Sequence, residues 1–98
     1  MSNLFILILK YILPLDQVDE HLKNHQKFVD YNYDVGNFLA SGPQVPRTGG
    51  VIIAQGPNKQ YIEDIIKNDP FHINKVAQYQ IYEFTPRRTK WDNFVKSN

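Results

Sequence analysis

The 98-residue chain contains no cysteine. Disulfides, a thiolate nucleophile, cysteine-ligated zinc and cysteine-bound iron–sulfur clusters are therefore excluded. There is no excess of charge of either sign, since eleven Lys plus Arg against ten Asp plus Glu leave +1. That balance excludes polyanion binding driven by bulk charge, though not by a local patch. Long hydrophobic runs are missing too. The longest, Leu4 to Leu9, falls far short of the roughly 20 residues of a membrane-spanning helix. Met1-Ser2-Asn3 holds no Lys or Arg, so no signal peptide, no membrane partner and a cytoplasmic location are expected. The GxGxxG, GxxxxGK and HExxH patterns are absent, and with them the usual sequence signs of a dinucleotide, phosphate-loop or zincin site.

What is present fits one small globular domain spanning residues 1–98, with a tail over residues 87–98. Apolar types make up 42% and charged types 21%, which argues against a disordered chain. Leu4 to Tyr11 reads as a central strand, apolar on both faces. From Asp16 to about Val35 the spacing of Val18, Leu22, Val29 and Tyr33 makes one helical stripe, with Asp16 as N-cap and Gly36 as the residue past the end. Phe38 to Ser41 and Val51 to Ala54 are short strands. A second helix runs from Asn58 or Lys59 to Lys67. Asp69-Pro70 is a good start for a short helical piece, and Val76 to Phe84 is the last strand. The order is β-α-β-β-α-β, an α+β ferredoxin-like unit with two helices on one face of an antiparallel sheet. The other face is also apolar along the first strand, so a homodimer through the sheet face is expected.

His25 is the leading candidate for chemistry. With Val18 at zero on a helical wheel it falls at about −20°, inside the apolar stripe. A plain core histidine competes with a general acid/base in a pocket. Asp69 is explained by its capping role alone, but a carboxylate held at a helix start also suits an imidazole partner. Arg47, in the stiff loop from Gly42 to Gly50, is either a hairpin residue or the contact for a substrate carboxylate. His21, one turn before His25, makes an i,i+4 pair for which a metal role is the weaker explanation, and His72 has nothing to place it there. No metal or cofactor is called for. Tyr31, Tyr33, Tyr79 and Tyr82 suit a pocket or an interface equally well. The Arg87, Arg88 and Lys90 run beside Trp91 reads as surface, and no nucleic-acid partner is expected.

Several segments together resemble the YCII-related proteins. They are His25, the run Gly36-Asn37-Phe38-Leu39-Ala40-Ser41-Gly42-Pro43, Gly49-Gly50, and Asn68-Asp69-Pro70-Phe71 before the last strand. The resemblance covers nearly the whole chain up to about Pro86. It implies a dimeric α+β barrel and a cleft holding His25 and Asp69 as a catalytic pair, with Arg47, Pro43 and Phe71 as substrate contacts. Many relatives carry an Arg three residues before the histidine. Leu22 stands there in this chain, which leaves any anion contact to Arg47. The function expected is His/Asp proton transfer, of isomerase or lyase type, on a small aromatic or carboxylated molecule. The alternative is a non-catalytic homodimer that binds a small ligand or acts as a regulator.

Overall fold

In the computed structural model, which describes residues 3–90, the first apolar run forms β1 (Asn3–Tyr11) inside a four-stranded sheet. The chain continues through α1 (Leu15–Asp34), β2 (Phe38–Pro43), β3 (Gly49–Gly56), α2 (Lys59–Ile66), α3 (Pro70–Ile73) and β4 (Ala77–Phe84). The strand order is β2-β3-β1-β4, and every neighbouring pair is antiparallel. This is the expected ferredoxin-like topology, with the single turn of α3 added before β4.

The expectation of a dimeric α+β barrel is corrected. The sheet is open: β2 and β4 are its two edges, with β3 and β1 between them. Closing a sheet on itself takes roughly eight tilted strands, and four leave both edges apart.

Alternation along β1 assigns the two faces. Phe5, Leu7 and Leu9 are buried with Ile52 and Ala54 of β3 against Val18 and Phe28 of α1, Ile62 of α2 and Phe71 of α3. On the opposite face Ile6, Ile8, Val51 and Ile53 are half-buried, and Tyr82 and Phe84 are exposed. α1 lies rotated from its expected face. Its buried residues are Val18, Phe28 and Asn32, so the buried stripe centres at about −40° on the same wheel. Tyr33 is thereby turned outward, while His25 moves nearer the centre. Asn32 is tolerated in the core because Nδ2 donates to the Phe28 carbonyl and Oδ1 accepts from Asn37.

Element ends also differ. Pro14 takes the N-cap position of α1 without a side-chain cap, and Asp16 lies in the first turn, where its charge suits the helix dipole. Gly36 does follow the helix, with φ 85°, a region where a Cβ is penalised. β2 runs on through Gly42 and Pro43, which face Val51 and Gly50. Proline is tolerated there because β2 is an edge strand. β3 starts at Gly49, where a Cβ would stand 1.8 Å from the Leu9 carbonyl oxygen, so only glycine permits this approach. Arg87, Arg88 and Lys90 are exposed. Trp91, Phe94 and Val95 lie outside the described residues. Among the described residues no helix is long and apolar enough to cross a membrane.

Candidate functional site

The short helix α3 builds one side of the site. Pro70 supplies its first residue, and Asp69 before it is extended, with Oδ1 accepting the Phe71 amide at 2.9 Å. Lys75 adopts φ 55° just after α3 and turns the chain into β4. Asp69 is fully buried, at 0% exposure. Burial of a carboxylate demands several donors, and it has three. The Phe71 amide is one. His25 Nδ1 lies 2.7 Å from Oδ1, and the Tyr79 hydroxyl donates to Oδ2. α1 and α3 thus bring together two side chains that are 44 residues apart in the chain.

An ionised carboxylate only accepts hydrogen bonds, so the imidazole proton sits on Nδ1. Nε2 has no partner among the described residues, and none of their buried side-chain nitrogens or oxygens is unpaired. Nε2 is therefore reachable. The His25 side chain is 13% exposed and lines a cavity of about 280 Å³ between α1, the β2–β3 loop and the sheet. The imidazole lies flat on Phe71, with ring centroids 3.9 Å apart and planes 4° from parallel. Phe71 in turn meets Tyr11 edge-on at 6.0 Å.

Leu9, Leu22, Val29 and Ile52 give the cavity apolar walls. Pro43, Arg47 and Phe71 line it together with His25. Arg47 is not free: Nη2 donates to Asp19 Oδ1 at 2.7 Å, and the guanidinium stands over the Tyr11 ring, 5.7 Å from its centroid. The hydrogen bond to Asp19, and after it the neighbouring Tyr11, raise its already high pKa and keep it charged. The loop that carries Arg47 is tied down at both ends. The Gln44 amide donates to the Gly49 carbonyl and the Tyr11 amide to that of Thr48.

His21 and His72 do not join the cavity, and no group of three His, Asp or Glu side chains among the described residues is placed to hold a metal ion. Asp19 carried no sign of a site role in the sequence, and Tyr79 stood only as one of four tyrosines suited to a pocket or an interface. Alternation in β4 puts Tyr79 on the helix-facing side, opposite Leu9, but nothing in the pattern shows that its hydroxyl meets Asp69. Asp19 looks like any first-turn acid, and its partner is 28 residues away. Burial pushes the Tyr79 phenol well above the usual tyrosine pKa, and the Asp69 charge and hydrogen bond act in the same direction. Tyr79 therefore stays protonated and donates.

An open ferredoxin-like α+β fold with a buried His–Asp pair at the edge of an apolar cavity defines the class. Within it the chain belongs to the YCII-related domain family, whose model matches residues 4–85. No curated protein and no solved structure matches the chain.

Proposed function

We propose that this chain, read as one domain, is a small enzyme that moves a proton on a small molecule held in the His25 cavity. The observation that carries the reading is the polarised imidazole. Nδ1 pairs with a buried carboxylate, and the ring, whose Nε2 has no partner among the described residues, lines the cavity. In this state Nε2 accepts a proton from a weakly acidic C–H or O–H group of the ligand. Asp69 balances the charge that appears on the ring, and the apolar walls keep that interaction strong. Returning the proton at a neighbouring atom completes an isomerisation. Returning it to a departing group completes an elimination. A positioned general base of this kind contributes roughly 100- to 10,000-fold in rate. Pro43 offers a flat contact suited to an aromatic ring, and Phe71 backs the His25 imidazole from the core. Arg47 is the cation for a carboxylate, which it meets by exchanging Asp19 for the ligand. The second reading is a homodimer that binds such a ligand without turnover. The half-buried face of Ile6, Ile8, Val51 and Ile53 with exposed Tyr82 and Phe84 favours the dimer in both readings.

Small aromatic and carboxylated compounds incubated with the protein in D2O test the reading. The expected result is deuterium entering, or a product forming from, one class of compound with the parent protein but not with His25→Ala. Binding of a compound with no exchange and no turnover moves the assignment to the second reading.

A further inference from the structure

The carboxylate of Asp69 has two oxygens with different partners. Oδ1 takes both the His25 ring proton and the Phe71 amide, while Oδ2 is bonded by the Tyr79 hydroxyl. Asp69 is the last residue before α3, and its terminal torsion is broad and roughly two-fold. Turning about it carries both oxygens off their partners, so the bond at Oδ2 adds a second restraint to those at Oδ1. Tyr79 comes from β4, on the far side of the carboxylate, and its position is set by the strand pairing that puts it opposite Leu9. The rigid sheet thus reaches through the phenol to the carboxylate, and through it to the imidazole.

We infer that Tyr79 is a positioning residue for the site: its hydroxyl holds the Asp69 carboxylate at the angle that keeps the His25 proton on Nδ1 and leaves Nε2 as the base. The inference rests on the proton-transfer reading but assigns the orientation of the base to a third residue, one that stands outside the cavity lining. Tyr79 is absent from the residues lining the cavity, so its effect on a ligand passes through Asp69. Burial keeps the phenol protonated, so it acts as a donor throughout the pH range in which a histidine works as a base. The ionisable groups that line the cavity with His25 are Arg47 on the β2–β3 loop, Tyr11 on β1 and Asp30 on α1, and His21 stands one turn before it on α1. Tyr79→Phe removes the one hydroxyl, keeps the ring that packs against the core, and leaves each of those groups in place.

The test reads the ring rather than turnover. Nitrogen-15 NMR of labelled protein reports which imidazole nitrogen carries the proton, and the Nδ1 proton itself should be visible far downfield. In the parent protein His25 should be essentially one tautomer with a protected Nδ1 proton. In Tyr79→Phe the Nε2-protonated tautomer should appear alongside it and the downfield proton should broaden by exchange with water. Asp69→Asn serves as the control for the pair itself. If Asp69→Asn disturbs the ring and Tyr79→Phe leaves both signals as in the parent, the positioning role is overturned while the His–Asp pair stands. If neither substitution changes the ring, the pair is not coupled, and this inference falls with the proton-transfer reading. Should Tyr79→Phe not fold, the parent protein with ring-labelled tyrosine decides. A protected Tyr79 hydroxyl proton that is lost in Asp69→Asn supports the role, and a hydroxyl exchanging freely in the parent overturns it.

Discussion

The His25 imidazole and the Phe71 ring stack face to face, with centroids 3.9 Å apart and planes 4° from parallel. The amide of the same Phe71 donates to Asp69, the hydrogen-bond partner of that imidazole. One short helix therefore controls both the plane of the ring and the direction of its proton. Phe71 is buried, so the stack is anchored in the core and does not depend on a bound ligand.

Replacing Phe71 by Leu removes the flat support while keeping an apolar side chain. A fully buried swap of this kind should cost about 1–2 kcal/mol, measured by urea unfolding. If proton transfer depends on the plane of the ring, activity should fall by more than the loss of folded protein explains. An activity loss that merely tracks the unfolded fraction would reduce Phe71 to a packing residue.

Asp69→Asn separates the capping role from the charge. Asparagine caps helices about as well as aspartate, so α3 should persist and the circular dichroism spectrum should be close to that of the parent. Proton transfer should fall by roughly 100-fold or more, because nothing then compensates an imidazolium. His25→Ala should do the same, and the double variant should be little worse than either single one, since the two act as a unit. Additive losses would mean that they act separately.

Tyr79 makes stability sensitive to alkaline pH, and its sign follows from proton counting. Its pKa is raised in the folded state, so above the ordinary tyrosine value of about 10 the unfolded chain releases this proton first. The unfolded state then binds fewer protons and stability falls as pH rises. Below that value both states hold the proton and the contribution is fully present. The slope attributable to one such group is at most about 1.4 kcal/mol per pH unit. Urea midpoints between pH 9 and 11 should decline less steeply for Tyr79→Phe than for the parent. Parallel declines would show that the phenol titrates normally.

Asp19→Asn releases Arg47 from its surface partner. The pair is exposed on both sides, and such pairs contribute little to stability, so thermal unfolding should scarcely change. Anionic aromatic ligands should bind more tightly, because they no longer compete with Asp19, and added salt should erase the gain. Unchanged affinity, measured by calorimetry, would remove Arg47 from the ligand contacts.

Gly49→Ala places a Cβ 1.8 Å from the Leu9 carbonyl oxygen. Because the Leu9 carbonyl and the Gly49 Cα that would carry the Cβ both belong to paired backbone, neither can yield without breaking the β1–β3 register at this end. A loss of roughly 3 kcal/mol or more is expected, read from the denaturation midpoint. A small change would show that the strands separate cheaply there.

The sequence by itself determined the order of elements and the composition of the two faces of the sheet. Periodicity and turn chemistry are local: the apolar run Leu4–Leu9, the Asp69-Pro70 helix start and Gly36 with its positive φ all act over a few residues. His25 was legible as a candidate because its helical phase puts an imidazole on an apolar face. Tertiary structure alone decided the rest. The rotation of α1 that buries Phe28 and Asn32 and turns Tyr33 out is settled by how α1 packs on the sheet. The open sheet follows from which strands end as edges, whereas the barrel was carried by resemblance. The bonds from Tyr79 to Asp69 and from Arg47 to Asp19 join elements that only packing brings within reach. Hydrogen bonds of that kind depend on distances of about 3 Å, and no spacing along the chain encodes them.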